Sequence, residues 1–452
     1  MANTYLQRTA GTSTENYKYT FSAWVKRTGV IGASSLNEVL FSNWYDSTNS
    51  AYIRFEDAND NLHVFDKYGS TIDLNYQTNM KFRDSNAWYH IVVNVDGTRS
   101  ANTRCKIYVN GSEVSCSNTT DTGGTLAMKT VTATNAMRAG AIKTSGGAEY
   151  YFSGLMSHVH YIDGTGYDAS YFGETDSTTG EWKIKTSPTG ITYGNNGFFI
   201  LKDGNSVTDQ SGEGNNFTVG SGTLTNTEDN PSNVFATLNP LNVPTSNAPT
   251  FSNGNTQSVS SSSASGAFGG SSTIGVSSGK WYMEAKCLTS GHTQSAVGVT
   301  YNDAETARTN NGATDSYEYS YRMNGNKGHD NTDSSYGNTY TTNDIIGVAL
   351  DLDNNKIYFS KNGTFQNSGV PTSGATGTGA AFTVDSGQTY MFYHHDTTGA
   401  SSNTSTFAFN FGNGYFGTTA VSSAGTNASG NGIFEYDVPT GYNALSTKGL
   451  NL

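Results

Sequence analysis

Apolar and polar residues alternate over short stretches of this chain, and turn-forming residues separate those stretches. Residues 19–25, 88–95 and 106–109 show the pattern well, since each alternates or runs apolar between Gly, Asp and Asn residues. A period of two is typical of strands with one buried face. No stretch of about 11 residues or more keeps the apolar period of a helix. The pattern predicts an all-β protein built from antiparallel β-sandwiches of the jelly-roll kind.

Composition favours globular β structure over disorder. Charged residues make up 14% of the 452 residues and aromatic residues 12%, and there are 52 glycines. Tyr and Phe suit half-buried pleated surfaces, while Gly, Ser, Thr and Asn favour turns over helices. A chain of this length can form two sandwich domains of roughly 200 residues each.

The prolines indicate a boundary near the middle of the chain. Four of the seven, Pro231, Pro240, Pro244 and Pro249, fall in one segment that is rich in Asn, Ser and Thr. Such a segment is typical of the connection between two domains. We therefore predict a first domain over residues 1–224 and a second over residues 225–452. Within the second, residues 225–270 are expected to form a connecting and edge-strand segment.

Charge and hydrophobicity argue against nucleic acid and membranes as partners. The net charge is −12, and no Lys/Arg cluster is longer than Lys26-Arg27. Phosphate backbones and anionic lipids attract basic clusters, so we expect neither as a partner. No apolar run approaches the length that spans a bilayer, and residues 1–20 lack the apolar core of a secretion signal. We expect no export by an obvious signal.

Two of the three cysteines flank a predicted hairpin. Asn110-Gly111 is a preferred pair for a two-residue hairpin turn. Counting outward from that turn sets Cys105 opposite Cys116. At this position the pair would be hydrogen-bonded, and its side chains would diverge, so we expect two reduced thiols. Reduced thiols are consistent with assembly in a reducing cytoplasm.

The first half of the chain resembles a known lectin sandwich. The sequences "YTFSAWVKR" (19–27), "WYHIVVNVDGT" (88–98) and "CKIYVNGSEV" (105–114) resemble strands of the laminin-G or concanavalin A-like lectin family. The stretch "FFILKDGNSVTDQSGEGNNF" (198–217) is similar to a strand and turn of the same family. The resemblance implies a concanavalin A-like sandwich over the first domain.

The second half resembles the SPRY domain. Its matching pieces include "GKWYMEAK" (279–286), "YGNTYTTNDIIGVALDLDNNKIYFSKNGT" (336–364) and "FNFG" (409–412). The residues support the same interpretation: residues 345–352 read as an apolar strand, 353–355 as a turn, and 356–360 as the returning strand of a hairpin. We expect a SPRY-like sandwich after the lectin-like one.

Two further stretches resemble structural proteins of marine tailed phages that join the same two sandwich types. They are "YIDGTGYDASYFGETDSTTGEWKIK" (161–185) and "DNPSNVFATLNPL" (229–241). The resemblance implies a non-enzymatic virion surface protein, either a tail fibre or other appendage or a capsid decoration. It would be assembled in the host cytoplasm, form homo-oligomers on the particle, and bind other virion proteins or host cell-surface polysaccharide.

Two other classes of protein stay open, a cellular lectin or adhesin and a polysaccharide depolymerase. A glycoside hydrolase needs two carboxylates about 5 to 10 Å apart across the scissile bond. Alternate acidic residues on one strand would supply them, but the nearest candidates, Glu174 and Asp176, lie in a stretch rich in Gly, Thr and Ser. We therefore predict a protein without catalytic residues.

No metal site or cofactor is predicted, although calcium is left open by analogy with lectin sandwiches. His158 and His160 would share one face of a strand, but no third ligand is evident by spacing. Calcium prefers clustered oxygen ligands, and Asp and Asn are also ordinary turn residues. Two clusters of this kind occur, Asp57-Asn59-Asp60 and Asp351-Asp353-Asn354.

We predict that loops bind the ligand, because the aromatic residues on the strands of both halves are expected to lie in the core. Two loops combine rings with hydrogen-bonding groups. One contains Trp44, Tyr45 and Asp46; the other contains Tyr336, Asn338 and Tyr340. Since Tyr336 and Tyr340 could instead pack beneath the next strand, Trp44 is the sharper candidate for an exposed binding residue.

Overall fold

The chain folds as two compact units, Met1–Asn226 and Thr227–Leu452. The division lies close to the boundary predicted at residue 224. The structure is a computed structural model, which describes residues 3–29, 37–56, 58–122, 126, 128, 136–143, 149–202, 204, 206–243, 248–260, 267–301, 316–396 and 404–451. Across these ranges no helix has the length and apolar character needed to cross a membrane.

The first unit is a β-sandwich, as predicted. An antiparallel eight-stranded sheet in the order β10-β6-β5-β4-β3-β11-β1-β18 packs on an antiparallel six-stranded sheet in the order β17-β14-β2-β7-β8-β9. Its described strands are β1 Tyr5–Thr9, β2 Lys18–Arg27, β3 Glu38–Trp44, β4 Ser50–Glu56, β5 Asn61–Tyr68, β6 Thr71–Lys81, β7 Trp88–Asp96, β8 Cys105–Val109, β9 Ser112–Glu113, β10 Cys116–Asp121, β11 Ala136–Ala139, β12 Ala141–Lys143, β13 Glu149–Tyr151, β14 Gly154–Asp163, β15 Gly173–Thr175, β16 Trp182–Ile184, β17 Phe198–Ile200 and β18 Thr218–Ser221.

The second unit is also a β-sandwich. One sheet has the order β19-β20-β32-β22-β27-β28-β29, with β30 beside β28 and β35 beside β22, and the other has the order β21-β31-β23-β24-β25-β26. Its described strands are β19 Thr250–Ser252, β20 Gln257–Val259, β21 Ala267–Ser271, β22 Lys280–Thr289, β23 Ala296–Thr300, β24 Glu318–Arg322, β25 Asn326–His329, β26 Thr332–Ser335, β27 Ile345–Asp351, β28 Lys356–Lys361, β29 Thr364–Phe365, β30 Phe382–Thr383, β31 Met391–Asp396, β32 Thr406–Asn410, β33 Tyr415–Phe416, β34 Thr419–Ala420 and β35 Asn443–Ala444.

In the part of the chain that the structure describes, helices are confined to short turns, which agrees with the absence of a helical apolar period in the sequence. The described 3-10 turns are Ala169–Tyr171, Gln366–Ser368, Pro371–Thr376 and Gly449–Asn451.

The predicted hairpin turn forms at Asn110-Gly111. Both residues have a positive φ, 47° and 82°, and Val109 pairs with Ser112 across the turn. Gly adopts positive φ without strain and Asn more readily than most residues, which explains this pair at a two-residue turn. The hairpin predicted between residues 345–352 and 356–360 also forms, as β27 and β28.

The predicted pairing of Cys105 with Cys116 is wrong. Strand β9 ends at Glu113, and the chain then crosses to the other sheet, where Cys116 pairs with Thr78 of β6. Counting outward from the turn assumed that both arms stay in one sheet. The segment after the turn instead pairs first in the six-stranded sheet and then in the eight-stranded sheet. The argument that the Cys105 and Cys116 side chains diverge therefore no longer applies.

The segment predicted as a connection contributes to the core of the second unit. Phe235 and Leu238 are buried, and the backbone N–H of Ala236 donates to the carbonyl of Leu445 at 2.8 Å. Strand β19, within residues 225–270, and strand β21, which begins there, lie at the edges of their sheets. The segment is therefore part of the second sandwich, where it pairs with the C-terminal part of the chain.

The chain itself covers the outward face of the six-stranded sheet in the first unit. Trp182, from the excursion after β14, donates its Nε1–H to Nδ1 of His90 at 2.9 Å. His90 Nε2 lies 2.9 Å from Ser22 Oγ, and its ring stacks on Trp24 with centroids 4.9 Å apart. Burial lowers the pKa of His90 to about 3. This face is therefore filled by the protein's own aromatic residues.

The rings of His158 and His160 both pack against Phe199, although the strand between them is irregular. The register of β14 shifts between Ser157 and His160, and His158 has a positive φ of 48°. The buried His160 ring stacks on Phe199 with centroids 3.9 Å apart, and Nδ1 lies 2.9 Å from the Tyr193 hydroxyl. The register shift is a β-bulge, which adds a residue to one side of the ladder, and both imidazoles still contact the same aromatic ring.

A buried carboxylate fastens the C-terminal segment to the second sandwich. Glu284 on β22 accepts backbone N–H bonds from Glu435 and Tyr436, each at 2.9 Å. Asn410 Nδ2 and the Tyr282 hydroxyl also donate to it, each at 3.3 Å. Burial outweighs these donors and raises the pKa of Glu284 to about 7.

The unfolding free energy of the second unit is expected to depend on Glu284. Its folded-state pKa of about 7 lies above the ordinary 4.5, so its contribution is full below pH 4.5 and is lost as the pH rises through about 7. The loss amounts to about 3 kcal/mol. Urea unfolding should show that the unfolding free energy falls as the pH rises between these values. In Glu284→Gln this dependence on pH should be much weaker. An unchanged slope in Glu284→Gln, or equal flattening in the exposed Asp330→Asn control, would contradict the assignment.

Candidate functional site

Strand β4 divides its side chains cleanly between the core and the outside. Ala51, Ile53 and Phe55 are fully buried between the two sheets. The alternate residues Tyr52, Arg54 and Glu56 are half-buried on the opposite face. Since successive strand residues point to opposite faces, these three side chains form one outward row.

Neighbouring strands extend that row into a surface. Tyr52 pairs with Phe65 of β5, and Phe65 pairs with Asn75 of β6, while Arg54 pairs with His63. Cross-strand partners share a face, so all of these side chains point outward. We call the set Tyr52, Arg54, Glu56, His63, Phe65 and Asn75 the outward platform.

On β3, next to the platform, the same face of the sheet is covered by another part of the chain. Ser42 of β3, which pairs with Tyr52, donates its hydroxyl to the carbonyl of Ala141 at 2.7 Å and is fully buried. The β12–β13 hairpin therefore lies over β3. The platform on β4, β5 and β6 adjoins that hairpin.

Three aromatic rings form the apolar part of the platform. Tyr52 and Phe65 stack with centroids 4.9 Å apart and an interplanar angle of 13°. The His63 ring meets Tyr52 edge-on at 5.3 Å. Arg54 places its guanidinium over the Tyr52 ring, 4.3 Å from the centroid. Stacked and cation–π contacts of this kind hold the rings in fixed orientations.

Hydrogen bonds fix the polar part of the platform. Arg54 donates to Oε1 of Glu56 from Nη2 at 2.5 Å and from Nε at 3.1 Å. His63 donates from Nδ1 to the same oxygen at 2.6 Å, and its Nε2 lies 2.8 Å from Oδ1 of Asn75. The side chains are therefore held in place before any ligand arrives.

The same contacts set the ionisation of the platform. The hydrogen bond from His63, together with Arg54, lowers the pKa of Glu56 to about 2. Burial raises the pKa of Tyr52 to about 12. At neutral pH the platform therefore presents a carboxylate, a guanidinium and a neutral phenol. A carboxylate of such low pKa is a poor proton donor, so the arrangement suits binding better than acid catalysis.

Two exposed tyrosines lie at the ends of β3 and β5. Tyr45 is 51% exposed and Tyr68 is 36% exposed. Their loops are joined, because Lys67 Nζ donates to the Ser47 carbonyl at 2.9 Å and the Gly69 N–H donates to Asn49 Oδ1 at 2.9 Å. We call Tyr45 and Tyr68 the tyrosine tip.

The other residues predicted in this loop have structural roles. Trp44 is the last residue of β3, pairs with Ser50 and is half-buried, so it lies on the strand and not in the loop. Asp46 Oδ1 accepts from the backbone N–H of Thr48 at 2.7 Å and of Asn49 at 2.8 Å. These bonds, with the Thr48 hydroxyl, lower the pKa of Asp46. The exposed ring of the predicted group is that of Tyr45.

In the second unit, the tyrosines predicted as binding residues belong to the core. Tyr336 is 8% exposed and Tyr340 is 3% exposed. The Tyr340 hydroxyl donates to the Tyr321 carbonyl at 2.9 Å, and the Tyr321 hydroxyl donates to the Asn338 carbonyl. The rings are buried because the sandwich needs their apolar area and supplies partners for their hydroxyls. Only the side chain of Asn338 is exposed.

The oxygen clusters considered for calcium contact cations of the protein. Asp60 pairs with Arg27 at 3.1 Å and with Arg83 at 2.9 Å, while Asp57 lies outside the described residues. Asp351 pairs with Lys280 at 3.1 Å. Within the described ranges no three His, Cys, Asp or Glu side chains are grouped as a metal site would require. That no cofactor is bound, with calcium left open, stays a prediction.

Family comparisons agree with the two sandwiches. Residues 1–166 match the model described as the concanavalin A-like lectin/glucanases superfamily. Residues 280–395 match the SPRY domain model. The chain carries a concanavalin A-like lectin/glucanase domain and a SPRY domain. The platform and the tyrosine tip belong to the lectin-like domain, and both domain types are typically binding modules.

Individual relatives share only parts of the chain. The ATP-dependent RNA helicase DDX1 of Xenopus laevis is 37% identical over 92 residues, which are 20% of this chain and 12% of the helicase. The chain thus spans a small fraction of that relative. The SPRY domain of human HERC1 is 20% identical, with a TM-score of 0.28, over 34% of this chain and 87% of that one. A heptameric SAP-like pentraxin from Limulus polyphemus is 14% identical, with a TM-score of 0.27, over 36% and 71%.

The two carboxylates weighed for catalysis stabilise a hairpin of the first unit. Glu174 is exposed on β15 and pairs in register with Lys183 of β16. Asp176 Oδ2 pairs with Lys183 Nζ at 2.9 Å, and Oδ1 accepts the backbone N–H of Thr178 at 2.8 Å. The ion pair with Lys183 lowers the pKa of Asp176. Their contacts are those of a turn.

Sequence reasoning overlooked the platform. The alternation that carries it is visible in "SAYIRFE" (50–56) and "NLHVF" (61–65), where Tyr, Arg and Glu, and then His and Phe, occupy one face. Assigning all strand aromatics to the core hid that second face. The pairing of Tyr52 with Phe65 depends on register, which the sequence did not specify.

Because Tyr340 is buried and Tyr45 is exposed, replacing them should change the unfolding free energy by very different amounts. Tyr340→Ala should lower the unfolding free energy of the SPRY-containing unit by about 3–5 kcal/mol, because it opens a cavity in the core. Tyr45→Ala should change that of the lectin-like unit by less than about 0.5 kcal/mol. Urea unfolding followed by tryptophan fluorescence measures both. Equal losses in the two variants would show that the loop ring is packed.

Proposed function

We propose that this protein is a non-enzymatic surface protein of a tailed-phage particle that binds host cell-surface polysaccharide through the lectin-like domain. The outward platform and the tyrosine tip form the binding surface. The observation that carries this proposal is the stacked pair Tyr52 and Phe65 with Arg54 and Glu56 fixed beside it.

The chemistry of the platform fits a sugar ring. The apolar face of a pyranose stacks on aromatic rings, and its hydroxyls need donors and acceptors at fixed positions. Tyr52 and Phe65 supply the rings; Arg54, Glu56 and Asn75 supply the polar groups. Because these side chains already hold one another, binding costs little ordering entropy.

The tyrosine tip extends the surface along a chain of sugars. Tyr45 and Tyr68 are the exposed rings at the ends of β3 and β5, and the row of Trp44, Ser50 and Lys67 lies between them and the stacked pair. Tyrosine offers a large contact area at low cost in side-chain entropy. A polymer that covers both groups would engage several residues at once.

The place on a phage particle rests on the sequence resemblance of residues 161–185 and 229–241 to phage structural proteins. An acidic, non-basic chain fits a surface that contacts neither nucleic acid nor lipid. We further propose that the protein forms homo-oligomers on the particle, since several weak sugar sites acting together bind more tightly than one. Other virion proteins would be its neighbours there.

The test is binding of the full chain to immobilised bacterial capsular polysaccharides and O-antigens. Tyr52→Ala, Phe65→Ala and Tyr45→Ala should each weaken binding by about tenfold, because each removes a ring that stacks on sugar. Tyr17→Ala is the matched control, since Tyr17 is 42% exposed and belongs to neither the platform nor the tip. Its binding should equal that of the unchanged protein.

Two results would contradict the proposal. One is binding that all four variants retain equally, which would place recognition elsewhere on the chain. The other is release of oligosaccharides from the immobilised polymer, which would identify a depolymerase. Thermal unfolding of each variant separates loss of a binding ring from loss of the fold.

A further inference from the structure

A surface cavity of the first unit holds two cysteines. Its volume is about 460 Å³, and it lies where the second arm of the β8–β9 hairpin crosses between the sheets. Cys105 from β8 and Cys116 from β10 both line it. Lys106, Glu113 and Tyr76 also line it. The cavity is large enough for several water molecules and opens a path for a small reagent to the thiols.

The backbone brings the two thiols toward each other. The N–H of Val114 donates to the Ile107 carbonyl at 2.9 Å, which extends the hairpin one step beyond β9. Cys105 lies two residues before Ile107 and Cys116 two residues after Val114. Both cysteines pack with the same apolar core. Since Cys116 pairs with Thr78 and not with Cys105, it is the cavity lined by both residues that brings the two thiols together.

The electrostatics also indicate close approach. Burial, and after it the neighbouring Cys116, raise the pKa of Cys105. Burial raises the pKa of Cys116 to about 11. The two sulfurs differ in access: Cys105 is 5% exposed, whereas Cys116 is half-buried. Cys116 is therefore the sulfur that a reagent meets first.

We propose that Cys105 and Cys116 form a disulfide between the two sheets when the protein meets a small-molecule disulfide such as oxidised glutathione. The structure has both as free thiols, which is the reduced form of this site. The bond would close the short loop from residue 105 to residue 116 and fix the crossing between the sheets. The proposal does not depend on the polysaccharide-binding role.

The reaction proceeds by two thiol exchanges. The Cys116 thiolate attacks one sulfur of the small disulfide, forms a mixed disulfide and releases one small thiolate. The Cys105 thiolate then attacks Sγ of Cys116, forms the protein disulfide and releases the second small thiolate. The protein gives up two protons and two electrons, and the small disulfide takes them up as two thiols.

The experiment incubates the purified full chain with oxidised glutathione and then maps the cysteines by alkylation and peptide mass. Cys105 and Cys116 should be found joined, with loss of two hydrogens. Cys287 should remain alkylatable after unfolding, since it is fully buried in the other unit and serves as the internal control. The rate should rise about tenfold per pH unit near neutrality, because the attacking thiolate becomes more abundant.

Two variants separate the steps. Cys105→Ala should accumulate the mixed disulfide at Cys116, and Cys116→Ala should leave Cys105 as a thiol. The melting temperature of the oxidised first unit should rise by about 5 to 10 °C, since the unfolded chain loses freedom. Two free thiols after oxidation of the unchanged protein would overturn the proposal. So would a stable mixed disulfide at Cys116, because it would mean that Cys105 cannot reach it.

Discussion

The structure depends on one constraint, the period of two along each strand. A strand that buries Ala51, Ile53 and Phe55 must turn the residues between them outward. The inward residues form the core and stabilise the sandwich, and the outward residues are available for contacts with a ligand. On β4 that outward set is Tyr52, Arg54 and Glu56, and the pairing with β5 joins it to a second aromatic residue. Core and candidate binding surface thus follow from the same register.

The two sheets of the lectin-like domain use their outward faces differently. On the six-stranded sheet, Trp182 and its neighbours fill the face and bind the buried His90 through a hydrogen bond. On the eight-stranded sheet, the β12–β13 hairpin reaches β3, and the platform on the adjoining strands keeps half-exposed rings and charges. The charges are balanced internally, since Glu56 is bound by Arg54 and His63. Such a surface can be stable without a ligand and still offer rings to one.

Sequence patterns predicted the all-β class and individual turns, because these depend on local alternation and on turn chemistry, whereas the two sandwich types were predicted from resemblance to known families. The Asn110-Gly111 hairpin is an example. Features that depend on pairing between distant strands were missed. Cys116 changes sheets to pair with Thr78, and the platform depends on the pairing of Tyr52 with Phe65. Tyr45 was named beside Trp44 in the sequence prediction, but its greater exposure follows from where β3 ends.

The central claim is that the lectin-like domain recognises its ligand through the platform and the tyrosine tip. Carbene footprinting of the full chain, with and without a polysaccharide that it binds, tests this claim most directly. We predict protection of Tyr45, Tyr52, Phe65 and Tyr68, with labelling of the exposed Tyr17 unchanged. Protection confined to the SPRY-containing unit, or to Tyr17, would contradict the account.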